Sequence, residues 1–127
     1  DAVICTMSIH YLDEAGYEVF LSKSYQSLKS AGQIFIITPH SVRMNGRDLS
    51  HYFERRWATE TTPWGTKIPF FHRTTADYLQ MIIDAGFVLD VINEPHLPKE
   101  AERANPKEYQ RYLAYGPSRL VIKAHKP

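Results

Sequence analysis

Two stretches decide the fold, Ala2-Val3-Ile4-Cys5-Thr6 and Gln33-Ile34-Phe35-Ile36-Ile37-Thr38. Both are apolar, β-branched runs of strand length. Runs without polar alternation read as strands covered on both faces, the habit of parallel sheets. Between them Tyr17, Phe20, Leu21, Ser24 and Leu28 share one stripe of a 3.6-residue period, which marks a helix. Ser8 or Asp13 can cap its start. Lys29 suits the negative end of its dipole, and Gly32 is expected to supply the left-handed residue that ends it. Strand, helix, glycine and strand make a βαβ unit with a right-handed crossover.

Outward from this unit, residues 39–71 hold no clean period and are rich in aromatics, prolines and charges, which is expected of a lid or binding loop. Asp48 to Trp57 can form a short helix within it. Thr74 followed by Asp77 has the form of a capping box with a shorter acid, ahead of a buried stripe of Leu79, Ile82 and Ile83 that Gly86 ends. Residues 87–92 form a strand whose one polar residue, Asp90, suits a sheet edge. Pro95, Pro98, Pro106 and Pro117 punctuate an irregular excursion before the last strand, Arg119 to Ala124. With no helix expected between the last two strands, they should pair antiparallel. The fold class is α/β, one partial Rossmann-like domain over residues 1–127 with helices on the faces of the sheet.

Composition bounds the function. The chain has 127 residues, 43% hydrophobic and 23% charged, as a single globular domain would. Fifteen basic against fourteen acidic side chains give no bulk attraction to nucleic acid or an anionic membrane. The single cysteine, Cys5, excludes an internal disulfide and a cysteine-based zinc site, so a reducing, cytoplasmic setting is the expectation. Cys5 itself reads as a packing residue. Apolar runs are too short to span a bilayer, and no basic segment precedes one as in a signal peptide. Asp1 in place of Met, directly before an apolar strand, is expected of a processed or proteolysed chain. The six histidines show no H-x-x-x-H or H-E-x-x-H spacing, so no metal site is expected.

The ordered motifs resemble the class I S-adenosylmethionine-dependent methyltransferases. The opening strand and Ser8-Ile9-His10-Tyr11-Leu12-Asp13 resemble that family's fourth strand and following turn, with a shorter spacing between serine and His-Tyr. Ser27-Leu28-Lys29-Ser30-Ala31-Gly32-Gln33 resembles its "L-K-P-G-G" stop before the fifth strand, with Ser30 and Ala31 in place of proline and the first glycine. Phe71-His72-Arg73-Thr74, Asp77-Tyr78-Leu79, Ala85-Gly86-Phe87, Glu94-Pro95 and the closing Leu120 to Lys126 are similar to a small-molecule, type 11/12-like subgroup. The resemblance implies a sheet of order 3-2-1-4-5-7-6 with strand 7 antiparallel, of which this chain would supply strands 4-5-7-6, the carboxy-terminal half. The glycines, at positions 16, 32, 46, 65, 86 and 116, allow no G-x-G to be written. A glycine-rich turn against a cofactor is therefore absent from this sequence. The acidic residue that the family carries after its second strand has no counterpart either.

Ligands of open α/β sheets sit outside the carboxyl ends of the strands. That rule singles out Thr6, Met7, Ser8, His10 and Tyr11 after the first strand, and Thr38, Pro39 and His40 after the second. The resemblance implies that Thr6, Met7 and Ser8 touch the methionine part of S-adenosylmethionine, and that His10 and Tyr11 lie near the transferred methyl. The structural alternative is a plain turn with His10 packed on the helix flank. Methyl transfer is a displacement at a sulfonium in which positioning does most of the work, and a base, His10 or His72, is needed only if the nucleophile carries a proton. Arg73 is expected to pair with a substrate carboxylate or phosphate, or else with Glu94. Tyr52, Phe53, Trp57 and Trp64 among Arg43, Arg47, Arg55 and Arg56 suit an aromatic cover over a small substrate better than a nucleic-acid platform. Between residues 39 and 73, six basic side chains face three acidic ones.

The expected function is the substrate-side half of a methyltransferase acting on a small molecule, with cofactor binding by this chain alone weak or absent. The alternatives are a non-catalytic assembly module and a nucleic-acid methyltransferase. If the family's strand order holds, the first strand is left as an apolar edge. Pairing along residues 2–6, with a second copy or with a missing amino-terminal half, is then expected.

Overall fold

The computed structural model describes residues 1–44 and 48–127. Gly46 and Arg47 therefore lie outside the described residues. Four strands form one mixed sheet: β1 (Ala2–Thr6), β2 (Gln33–Pro39), β5 (Val88–Asn93) and β6 (Arg119–His125), in the order β1-β2-β6-β5. β1 and β2 run parallel, and β6 is antiparallel to both its neighbours, β2 and β5. This is the order and direction expected above for strands 4-5-7-6 of a Rossmann-like sheet.

Helix α1 (Glu14–Ser27) crosses between β1 and β2, and α3 (Thr75–Asp84) leads into β5. Of the two candidate caps for α1, Asp13 is used, accepting from the Gly16 amide at 2.9 Å. The far end of α1 is closed from the chain's last residues, where the Lys126 ammonium donates to the carbonyls of Tyr25 and Leu28. Gly32 is not the left-handed residue expected there. Ala31 takes that conformation at φ 62°, while a Cβ on Gly32 would come within 2.8 Å of the Lys29 carbonyl oxygen. Glycine is thus required at 32 for close approach and not for its backbone angle.

The capping box of α3 forms as expected. Thr74 accepts from the Asp77 amide, and the Asp77 carboxylate accepts from the Thr74 amide. The buried stripe of α3 is rotated from the expected one. Tyr78, Met81 and Ile82 are buried and Ile83 is exposed, because the Tyr78 ring meets Tyr17 edge-on and fixes that face toward α1. Gly86, at φ 96°, ends the segment.

α1 and α3 cover one face of the sheet, where Ile34, Ile36, Leu120, Ile122 and Ala124 meet Tyr17, Leu21, Leu28, Tyr78 and Ile82. The opposite face is only partly covered, and Ile4 is 72% exposed. The expectation of strands covered on both faces therefore fails for β1, while every residue of β2 is buried or half-buried. An unbroken apolar run reports strand character but not which face finds a partner.

Two further expectations are corrected. Residues 48–57 form no helix. After a short α2 (Ser41–Met44) the chain turns and enters a hairpin of β3 (Arg56–Thr61) and β4 (Lys67–His72). The alternating burial of β3 and Gly65 at φ 88° in its turn are hairpin features, and Pro63-Trp64-Gly65 between two β-rich runs was their mark in the sequence. The proline-punctuated excursion is not irregular either. It holds α4 (Ala101–Ala104) and a ten-residue α5 (Pro106–Tyr115), capped by Asn105 with Pro106 in the first turn. Asn-Pro is a helix-start pair, overlooked among the other prolines. Asp90 does fall on the edge strand β5, at a register shift, with its carboxylate 2.7 Å from His125 Nδ1.

Candidate functional site

The carboxyl ends of β1 and β2 lie side by side, and the parallel ladder continues one residue past β1 through Met7 N–H to Ile37 O at 2.7 Å. Met7 has φ 53°, a left-handed backbone costly for a side chain with a Cβ. Strain of this kind collects where a chain must turn sharply around a site. The Ser8 hydroxyl is 3.2 Å from Thr6 O and from Cys5 Sγ, so it ties the turn to the strand while remaining exposed. Thr6 and Met7 are also exposed, and Tyr11 is exposed at the end of a 3-10 turn (Ile9–Tyr11).

His10, in that turn, is buried, with its ring centroid 4.0 Å from that of Tyr11. Burial, helped by the positive charge of Arg119, lowers its pKa to about 4. It is neutral at neutral pH, and its Nδ1 has no hydrogen-bond partner among the described residues. A small cavity lies between His10, Ser41, His72 and Arg73, with Phe70, Phe71 and Tyr78 on its walls.

His72 is buried at the end of β4, and its Nε2 lies 2.7 Å from Tyr52 O, a contact in which the ring N–H donates. That hydrogen bond joins Tyr52 to the site. Arg73 is 1% exposed. Its guanidinium donates to Leu12 O at 2.8 Å and lies about 5 Å from the ring centres of Tyr17, Phe71 and Tyr78. The ion pair of Arg73 with Glu94, considered from the sequence, does not form. Glu94 instead accepts from His40 Nε2 at 2.8 Å. His40 Nδ1 accepts from the Val42 amide, which fixes the tautomer.

Trp57 is half-exposed and packs edge-on against Phe71, while Trp64 stands 77% exposed at the hairpin turn. The fold thus gathers His10, His72, Arg73 and Tyr52 and leaves Trp64 apart. Arg55 is held in ion pairs to Glu14 and Asp77, the latter at 2.6 Å, which pins the segment before β3 to the starts of α1 and α3. Burial acts to raise the Asp77 pKa, but hydrogen bonds from Arg55 and Thr74 outweigh it and hold the carboxyl low. Arg56 lies 3.7 Å from Glu54. Two of the arginines that could have faced nucleic acid are therefore occupied by carboxylates.

Arg43, Arg111 and Arg119 converge with Tyr112 and Tyr115 on a cavity of about 500 Å³ at the carboxyl end of β2. Three of these residues, Arg111, Tyr112 and Tyr115, lie on α5, in the segment whose prolines read as an irregular excursion. Among the described residues, no group of three His, Cys, Asp or Glu side chains could hold a metal ion, and no helix is long and apolar enough to cross a membrane.

No protein-family model matches the sequence, and no curated protein matches it. Solved structures do match. A protein described as an S-adenosylmethionine-dependent methyltransferase of Listeria monocytogenes superposes at a TM-score of 0.82 with 25% identity, over 99% of this chain and 61% of its own. This is a class I S-adenosylmethionine-dependent methyltransferase fold, in its carboxy-terminal part. A methyltransferase of Mesorhizobium loti matches at 0.71 with 16% identity, over 99% of this chain and 62% of its own. The 1,6-didemethyltoxoflavin-N1-methyltransferase of Burkholderia thailandensis, solved with its substrate and S-adenosylhomocysteine, matches at 0.58 with 13% identity, over 99% of this chain and 43% of its own. The chain thus spans about three fifths, or less, of the length of these three methyltransferases.

Proposed function

We propose that this chain forms the substrate-side part of an S-adenosylmethionine-dependent methyltransferase that acts on a small molecule. The observation that carries the reading is the strained turn at Met7. It presents exposed Thr6, Ser8 and Tyr11 at the carboxyl end of β1, directly beside the buried His10 cluster. When bound, the cofactor supplies a sulfonium-activated methyl group. The residues present fit its methionine end, through Thr6, Met7, Ser8 and Tyr11. They do not fit its nucleoside end, because no two glycines of the sequence are close enough to form the turn that end requires.

In this reading His40, Tyr52, Trp57 and Arg73 shape or border the acceptor's side of the site, and Trp64, exposed at the hairpin turn, does not. Arg73 acts from beneath as a fixed positive charge, since its guanidinium is enclosed. His10 and His72 are the candidate bases. In the tautomer protonated at Nε2, neutral His10 offers its unpartnered Nδ1 to accept a hydrogen bond from an acceptor N–H or O–H and so orients the attacking lone pair. A proton is then taken up only as the methyl is transferred.

Calorimetric titration of S-adenosylmethionine into the 127-residue chain should show weak binding or none, and tight binding would overturn this division of labour. Transfer of a labelled methyl group to a small acceptor by the full-length protein tests the activity. A full-length protein that neither binds the cofactor nor transfers the methyl would sink the proposal. A second reading, an assembly module, rests on one observation: Ile4 lies exposed on the sheet-edge strand β1.

A further inference from the structure

The cavity at the start of β6 is lined by three arginines, Arg43, Arg111 and Arg119, against one carboxylate, Glu108, with Tyr112, Tyr115 and Ser118 completing the wall. Arg119 stands opposite Pro39 in the β2–β6 register, and Arg43 follows β2 on α2. Both line a cavity of about 500 Å³, within the range of small-molecule sites. Burial, and next the charge of Arg43, hold the Arg119 pKa below its usual value, with Glu60 and Tyr112 acting in the opposite sense. Arg119 donates to the carbonyl of its neighbour Ser118. No carboxylate lies within ion-pair distance of Arg43 or Arg119 among the described residues, whereas Arg111 has Glu108 at 3.7 Å and lies over the Tyr115 ring. The Tyr112 hydroxyl donates to Pro95 O at 2.7 Å, which ties this wall of the cavity to the segment after β5. Arginine guanidiniums bind oxyanions through paired N–H donors, and tyrosine rings offer flat apolar surface beside them.

We infer that this cavity binds the oxyanion of a small aromatic acid, its carboxylate or phosphate between Arg43 and Arg119 and its ring against Tyr112 and Tyr115. The inference rests on the methyltransferase reading for its meaning, since the acid would be the methyl acceptor. Its position supports that role. Thr6 at the end of β1 stands opposite Ile37 and Arg119 opposite Pro39, so a bound anion would sit at the same end of the sheet as the turn assigned to the cofactor.

The test is direct binding to the full-length protein of 4-hydroxybenzoate and of phenyl phosphate, each compared with neutral 4-hydroxybenzamide. At least one acid should bind about tenfold more tightly than the amide, and the stronger of the two tells carboxylate from phosphate. Arg43→Gln and Arg119→Gln should each erase most of that preference. Arg43 is exposed, so its variant keeps the test valid should the Arg119 change disturb β6. Equal binding of acid and amide, or a preference that survives both substitutions, would overturn the inference. Cofactor binding measured on the same preparation reports separately on the methyltransferase reading: its loss with the acid preference intact leaves the pocket standing.

Discussion

At the scale of single residues, the structure separates groups that composition treats alike. His10, His40 and His72 are all buried, yet His40 and His72 are fixed by hydrogen bonds to Glu94 and Tyr52 O, and His10 keeps an unpartnered Nδ1. The lowered pKa of His10 has a consequence for stability. An unfolded histidine takes up its proton near pH 6.5, while folded His10 resists until about pH 4. Between those values the unfolded state binds more protons, so stability present above pH 6.5 falls as the pH drops and levels off below 4. Urea unfolding at pH 7 and pH 4 should differ by roughly 3 kcal/mol more in the wild type than in His10→Asn. Equal pH slopes for the two proteins would show that His10 is not held neutral by its burial.

At the scale of elements, most of what bounds the site was readable, and what was missed has specific causes. The βαβ unit, the Thr74 capping box and the Asp90 edge strand follow from periodicity and capping chemistry, which are local. The β3–β4 hairpin is hidden in the sequence because Trp57 and Trp64 read, with Tyr52 and Phe53, as an aromatic cover and not as strand and turn. Helix α5 was missed because Pro106 was counted as a breaker, although proline after Asn105 opens a helix. That cap is testable. Asn105→Ala should remove about 1 kcal/mol from the local stability of α5 and speed amide exchange across residues 106–115. Because α5 carries Tyr112 and Tyr115, the acid preference of the adjacent cavity should weaken with it. Unchanged exchange would mean that packing alone holds the helix.

At the scale of the whole molecule, the decisive feature is a sheet with an open edge. Among the described residues β1 pairs only with β2, and its outward residue Ile4 is exposed. An apolar edge with free backbone groups is a template for another strand. Sedimentation of this chain at high concentration should therefore show association. Ile4→Lys should reduce it while changing stability by no more than about 0.5 kcal/mol, since the side chain is in solvent already. A monomer across the whole concentration range would argue that β1 is not a pairing surface.

The sequence by itself determined the strands and helices that obey a period, the carboxyl ends where ligands collect, and the absence of a glycine-rich turn, because each of these is a property of neighbouring residues. Only the tertiary structure decided which face of β1 is covered, that Glu94 joins His40 and not Arg73, and that Arg73 is enclosed by three rings. It alone brought Arg43 and Arg119 to one cavity. These depend on contacts between residues far apart in the chain, and burial, which sets the charge state of His10 and the reach of Arg119, exists only once those contacts have formed.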